Sequence, residues 1–317
     1  MTLPTELWQR LLLLVWAILI AWSIPLLIIT IIRKSQHKEV KPIWIKYGSW
    51  FIMVPVMTLP LLLGKYFTQG LFLVLSLYAF EEFSRTVGLW KETAHMWLGR
   101  ICILLVYATV ILSSFGTFMS MPAYIIILAF LLPILKDKYE GMIQRTVLTI
   151  FGVIYFGWFL AYLAYLANIE TCFQLIIAFL LIIITNDASA YFIGSNLGRH
   201  KMVPHLSPNK TWEGAIGAGI ITVGVTVAIR FALYNMDWWA AGILGVLLSF
   251  FGTCGDLSIS LLKRDVHIKD TGHLIPGHGG LLDRLDSILF ATPVFFHFMN
   301  AFFITTISLY GRWSIGQ

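Results

Sequence analysis

Charge is what this chain has least of. Asp, Glu, Lys and Arg make up 12% of its 317 residues, about half the roughly 25% usual in soluble domains. Cysteine is almost as scarce: Cys102, Cys172 and Cys254 show no paired spacing. That excludes a disulfide framework and a cysteine zinc site, and leaves three small apolar residues. There is no internal repeat, low-complexity tract or stretch polar enough for a soluble domain. Hydrophobic residues are 58% of the chain and mean hydropathy is +0.82, which excludes an ordinary soluble protein.

Long apolar runs fill the remainder. Segments of about 20 apolar residues suffice to cross roughly 30 Å of hydrocarbon. Candidate spans begin near Leu7, Tyr47, Phe67, Gly99, Met121, Thr146, Thr171, Trp212, Trp238 and Leu285, the fifth interrupted by Pro133. The expected fold is therefore all-α: a polytopic membrane protein of about nine or ten transmembrane helices. The first run is too long, and too poor in small residues at its end, for a cleavable signal, so it reads as a retained anchor.

With the N-terminus outside, all of the 22 Lys and Arg except Arg10, Lys65, Arg230 and Arg312 fall in inside loops, which assigns those loops to the cytoplasm. Topology thus accounts for the net charge of +6 and pI near 9.2 without any nucleic acid as partner. The first three inside loops are short basic connectors that set topology or meet anionic lipid heads. Glu81 and Glu82 with Arg85 are explained by i, i+4 and i, i+3 pairing. His37, His95, His200, His205, His267, His273 and His297 read as solvated or packing residues.

The last two inside loops differ in kind. In the fourth, Asp187 ends an apolar run, where an unpaired carboxylate is costly and a cation or metal partner is implied. It continues through Ala190, Tyr191 and Gly194 to Ser207-Pro208-Asn209-Lys210-Thr211-Trp212-Glu213-Gly214. Pro208 and Asn209 suggest a turn, Thr211 can cap the next span, and Glu213 falls in its first turn. Lys210 beside Ser207 at a helix start also suits a phosphate.

The stretch from Thr253 to Ser287 packs acids, bases and glycines between two apolar runs. Asp256, Asp270, Asp283 and Asp286 are hard-cation donors. Lys263, Arg264, Lys269 and Arg284 can meet phosphates, and Gly277, Gly279 and Gly280 let backbone N–H groups approach an anion. Asp283 and Asp286, three apart on a helix, project from one face and could hold one metal or bracket two, although salt bridges to Lys263 or Arg284 would also relieve their repulsion. Metal, phosphate and backbone cradle together read as phosphoryl transfer.

At these residues the chain resembles the phosphatidate cytidylyltransferases, or CDP-diacylglycerol synthases. The resemblance rests on Ser260 through Asp286, S-L-L-K-R-D-V-H-I-K-D-T-G-H-L-I-P-G-H-G-G-L-L-D-R-L-D, preceded by Asp187-x-x-Ala190-Tyr191-x-x-Gly194 and Ser207-Pro208-x-Lys210-Thr211-x-Glu213-Gly214. It covers roughly Asn186 to Phe298 and divides the chain into motif-free N-terminal transmembrane helices, 1–170, and a catalytic transmembrane region, 171–317.

The resemblance implies an integral-membrane nucleotidyltransferase that joins CTP to phosphatidic acid in phospholipid biosynthesis, using Mg²⁺ with a monovalent cation such as K⁺ as a candidate helper. It implies Asp256 and Asp283 as leading metal ligands, with Asp286 and Asp187 behind them. Lys263, Arg264, Lys269 and His278 would meet CTP or lipid phosphates, with Asp270 among the catalytic group. Ser207, Lys210, Thr211, Glu213, Tyr191, Gly279, Gly280 and Arg284 would complete substrate binding. The expected setting is a bacterial inner membrane with the site facing the cytoplasm, and a homodimer is the assembly to test for. One position departs: where family members commonly read G-D-x-x-E-S, this chain has Ile259, which suggests a carboxylate missing from the rim of the site. The same chemistry on another lipid phosphate, or an ion-coupled transporter, are the competing readings.

Overall fold

A computed structural model describes residues 30, 41–137, 139–169, 172–268, 271–272 and 279–307. The expected span near Leu7, and Lys269, Asp270 and His278 of the candidate site, lie outside the described residues. The described chain is almost entirely helical: α1 (Lys41–Leu63), α2 (Lys65–Thr86), α3 (Thr93–Ile111), α4 (Phe115–Leu135), α5 (Met142–Gly152), α6 (Phe159–Leu166), α7 (Cys172–Leu197), α8 (Trp212–Ala228), α9 (Trp238–Asp265) and α10 (Leu282–Ile307). A π-helical segment, Val153–Trp158, joins α5 and α6 into one continuous rod.

Six helices among the described residues are long and apolar enough to cross a membrane: α3, α4, the α5–α6 rod, α7, α9 and α10. This is an integral membrane protein of all-α class. Two further expected spans are shorter apolar helices, Met53–Leu63 within α1 and α8. The span expected near Phe67 is α2, whose hydropathy is lowered by Lys65, Gln69, Ser76, Glu81, Glu82 and Arg85. Several helices, such as α3 at Thr93 instead of Gly99 and α4 at Phe115 instead of Met121, start a few residues before the expected points, because helix geometry continues through the polar and aromatic residues that flank an apolar run; α7, α8 and α9 begin within one residue of them.

Local sequence explains the breaks. Gly88, at φ 77°, follows the last residues of α2 in the left-handed conformation that closes many helices. At the start of α8 the Thr211 hydroxyl accepts from the Gly214 N–H at 3.2 Å, the expected N-cap. The Pro208–Asn209 turn is not observed. Those residues lie in β2 (Ser207–Thr211), which pairs antiparallel with β1 (Lys201–Val203), and the reversal falls between them at 204–206. An exposed proline is tolerated there because a two-stranded ribbon has only edge strands, where a missing N–H breaks no ladder.

Helix α7 packs on α8, α8 on α9, and α9 on α10, while the α2, α3 and α5–α6 group packs beside them through α6 and α10. Small residues set these approaches. A Cβ on Gly214 would strike the Ala190 carbonyl and the Gly194 backbone, and one on Gly255 would strike the Asp286 carbonyl. Aromatic residues of the rod, Tyr155, Phe156, Trp158, Tyr162 and Tyr165, pack on α2, α4 and α10 and fill the join between the two helix groups.

Candidate active site

The polar cluster forms where α7, α9 and α10 converge beside the β1–β2 hairpin. Asp256 lies inside α9, which runs on past Lys263 and Arg264 to Asp265. Its carboxylate accepts from Lys210 Nζ at 2.7 Å and from the Ser260 hydroxyl at 3.4 Å. Asp286, one turn into α10, stands close enough to Asp256 and Asp187 for the three carboxylates to repel one another, and close enough to Lys263 to be attracted. The Ser287 side chain lies beside Asp187.

Asp283 takes a different partner set. Its Oδ1 accepts from Lys263 Nζ at 2.6 Å, and its Oδ2 from the Gly280 and Thr271 N–H groups at 3.2 and 3.3 Å and the Thr271 hydroxyl at 3.2 Å. Asp283 and Asp286 therefore share the start of α10 but serve two adjacent subclusters. As adjacency on a helix requires, Lys263 and Arg264 diverge: Lys263 turns to Asp283, and Arg264 Nε donates to the Leu206 carbonyl of the hairpin at 3.3 Å. Among the described residues no group of three or more His, Cys, Asp and Glu side chains is gathered as a ready metal centre.

The remaining candidates divide. Lys210 belongs to the cluster through Asp256. Glu213 turns to the hairpin, accepting from the Arg199 N–H at 3.1 Å, the His200 N–H at 3.2 Å and the His200 ring. Thr211 is buried, its hydroxyl engaged in capping α8. Tyr191 is 80% exposed on α7, one turn after Asp187. Ser207 sits at the start of β2, Arg284 is exposed on α10, and Gly279 adopts φ 82° just before Gly280.

Three contributors were not legible as such in the sequence. Glu82 does not pair with Arg85, whose guanidinium goes to Glu81 at 3.4 Å. It is buried, and its carboxylate accepts from the Leu281 N–H at 2.9 Å, the Leu282 N–H at 3.3 Å and the Thr271 hydroxyl. An acid from α2 thus caps α10 from roughly 200 residues away in sequence, where the helix dipole favours it. Gly280 makes this approach possible, since a Cβ there would collide with the Glu82 carboxylate and the Thr271 hydroxyl. The second is Tyr155, whose position in the π segment brings its hydroxyl to the Ser258 hydroxyl at 2.5 Å beside Asp286. Single π turns inside helices often mark such placements.

Third is Asn186, fully buried, which accepts from Thr222 of α8 at 3.2 Å and Ser249 of α9 at 2.6 Å. Its amide donates to Asp187 at 3.4 Å, so it ties three helices to the orientation of one acid. The only available signal was an amide in an apolar run, which must find partners when buried.

Ile259 requires a correction. Expected at the rim of the site in place of an acid, it is 1% exposed and packed in the apolar core. Ser258 and Ser260 flank it and point to Tyr155 and Asp256; position 259 lies on the same side of α9 as Asp256 and Lys263, three residues after the one and four before the other, but its side chain is buried in the apolar core.

The sequence of this chain is similar to several known proteins. Residues 44–302 match the family described as the cytidylyltransferase family. Uncharacterized protein YnbB of Escherichia coli (strain K12) is 39% identical over 155 residues, covering 49% of this chain and 51% of that protein. Phosphatidate cytidylyltransferase of Staphylococcus haemolyticus is 43% identical over 118 residues, 37% of this chain and 45% of its own length. That of Staphylococcus aureus (strain COL) is 42% identical over 126 residues, 39% and 48% respectively. The chain spans about half the length of the curated relatives it matches. The family match takes in α2 and the π segment as well as α7 to α10, so the helices bearing Glu82 and Tyr155 belong to the same unit as the acids they support: the chain is a member of the cytidylyltransferase family.

Proposed function

We propose that this protein is a membrane-embedded CTP:phosphatidate cytidylyltransferase, transferring CMP from CTP to phosphatidic acid to give CDP-diacylglycerol and pyrophosphate. The observation that carries the reading is the convergence of Asp187, Asp256 and Asp286 with Lys210, Lys263 and Asp283, in two adjacent subclusters, where three apolar helices meet the β1–β2 hairpin. Relatives at about 40% identity that bear the name phosphatidate cytidylyltransferase support it.

The chemistry suits these groups. An oxygen of the lipid phosphate attacks the α-phosphorus of CTP in line, the bond to the β-phosphate oxygen breaks, and pyrophosphate leaves with the electron pair. Catalysis of such a transfer is chiefly positioning and charge stabilisation. Lys210 and Lys263, each held by one aspartate at 2.6–2.7 Å, are point charges fixed for phosphate oxygens. Arg264, anchored to the hairpin through Nε, keeps its remaining N–H donors for the same use.

The oxygen chemistry of the donor set suits Mg²⁺, which would have to draw the acids together. Asp187, Asp256 and Asp286 supply hard oxygens whose mutual repulsion a divalent ion would relieve, with Asp283 next to them. Bound there, Mg²⁺ would neutralise charge on the phosphate oxygens and the departing pyrophosphate; K⁺ is the monovalent candidate. Asn186, Glu82 and Tyr155 act as positioning residues for this set. The site is proposed to face the cytoplasm, where CTP is found, across a bacterial inner membrane, and the protein is proposed to act as a homodimer.

The test is pyrophosphate release by purified, detergent-solubilised protein given CTP and Mg²⁺, with and without phosphatidic acid. Release that requires the lipid and yields a CMP-bearing lipid is expected. Folded protein that releases none with phosphatidic acid, but does with another lipid phosphate, would retain the chemistry and replace the acceptor.

A further inference from the structure

Away from the acids of the site, α2 and α3 enclose a cavity of about 450 Å³ lined by Glu81, Arg85, Trp90, Thr93, Met96, Trp97 and Arg100. It shares no residue with the proposed active site. Two guanidiniums share one carboxylate here: Arg100 Nη2 lies 2.6 Å from Glu81 and Arg85 Nε lies 3.4 Å from it. A single carboxylate cannot saturate ten guanidinium N–H donors, so most are left for another acceptor. Arg100 is further held over the Trp97 ring, 5.1 Å from its centroid, so its fork is oriented before any ligand arrives.

The position of the cavity matters as much as its charge. It opens where α2 ends at Thr86 and α3 begins at Thr93, the level of a membrane surface if these helices lie in the bilayer. Trp90 and Trp97 are 53% and 58% exposed there, as aromatic side chains commonly are at the headgroup level. Below this mouth the same helix faces turn apolar. On α2, Tyr78 and Val74 lie three and seven residues before Glu81, at helical spacing, and on α3, Ile101, Leu104 and Ile111 continue beyond Trp97 and Arg100; all are exposed. A soluble anion would have no use for that strip, whereas a two-part ligand with a phosphate above and acyl chains below matches both halves.

We infer that the α2–α3 cavity is a binding site for an anionic phospholipid, its phosphate held by Arg85 and Arg100 and its chains lying along Tyr78, Val74, Ile101 and Leu104. Because Arg85 is largely exposed, its pair with Glu81 contributes little, and exchanging that partner for a phosphate is cheap. Glu81 keeps Arg100 in place between occupancies. The site abuts the catalytic region, since the next residue of α2 is Glu82, the cap of α10.

Native mass spectrometry of the purified protein tests this with phosphatidylglycerol as the anionic lipid, phosphatidylcholine as the zwitterionic comparison and inorganic phosphate as the soluble competitor. Wild-type protein should retain phosphatidylglycerol in preference to phosphatidylcholine, and millimolar phosphate should not displace it. Arg85→Gln with Arg100→Gln should lower retention by roughly tenfold or more, the weight of a lost charge-assisted fork. The same loss should appear when the glutamine pair is introduced into a Lys263→Met background, which separates this site from the catalytic one. The Arg85→Lys, Arg100→Lys pair keeps charge without the bidentate geometry and should fall between the two, providing the test if the glutamine pair does not fold. Equal retention across wild type and arginine variants, equal retention of the two lipids, or displacement by inorganic phosphate would each overturn the inference.

Discussion

Replacing Glu82 by glutamine is the sharpest perturbation the structure offers, because this residue lies in the half of the chain that carries no recognisable motif. Its carboxylate accepts three hydrogen bonds, from the N–H groups of Leu281 and Leu282 and the hydroxyl of Thr271. The Thr271 N–H in turn donates to Asp283, which holds Lys263. The amide oxygen can still accept as a neutral partner, at a loss of about 1 kcal/mol per bond, but the NH2 cannot accept and leaves at least one buried donor unpaired, so the loss is about 3 kcal/mol or more in all. If that loss is felt as misplacement of the α10 start, kcat/KM for CMP transfer should fall on the order of 100-fold. Glu82→Ala leaves two buried donors without acceptors and should cost about 2–6 kcal/mol, while Glu82→Asp, one methylene short, should lie nearer wild type. Turnover is measured by pyrophosphate release, and amide hydrogen exchange reports protection at 281 and 282. Undiminished turnover with unchanged exchange in Glu82→Gln would refute the capping argument outright.

Other expectations follow from the same geometry. Asp283→Asn removes charge without volume and leaves Lys263 unpaired, so turnover should drop on the order of 100-fold or more in protein that still elutes as folded; full activity would remove Asp283 from the site. Gly280→Ala should reproduce the Glu82 phenotype, since the added methyl occupies the space of the Glu82 carboxylate, and normal kinetics in that variant would show the approach to be loose. Ile259→Glu places a carboxylate in the apolar core, a penalty on the order of several kcal/mol. It should lower the thermal midpoint in detergent without raising activity; a stable, faster enzyme would mean that position 259 reaches the site after all. Chelation of divalent cations should abolish turnover and restoration of Mg²⁺ should recover it, with unimpaired activity in chelator overturning the proposed metal set.

The acids and bases of the last loop were visible as candidates because polar residues between membrane-length apolar runs are few and conspicuous. Their pairing was not. Spacing put Asp283 and Asp286 on one helical face, yet α10 meets α9 at an angle that sends Asp286 toward Asp256 and Asp187, and Asp283 toward Lys263 and Thr271. Glu82 was open to the wrong reading because Arg85 stands three residues on, a spacing that normally explains both. The competing interaction, a helix start nearly 200 residues away, leaves no trace in local periodicity. Ile259 departs in the other direction: comparison with the motif suggested a carboxylate missing from an open rim, whereas the side chain, on the same side of α9 as Asp256 and Lys263, is buried in the apolar core.

Sequence alone determined the class of the protein, because scarcity of charge and the length of apolar runs obey solvation energetics that hold whatever the fold. It also singled out Asp187, Lys210, Asp256, Lys263, Asp283 and Asp286 as the candidate site, since ionisable groups at membrane depth persist only with partners or purpose. Tertiary structure decided which charge meets which, that the motif-free helices supply Glu82 and Tyr155, and that two arginines and two tryptophans on α2, α3 and the turn between them enclose a separate cavity. These are contacts between residues distant along the chain, and they depend on how helices cross, which small residues such as Gly214, Gly255 and Gly280 permit but do not by themselves announce.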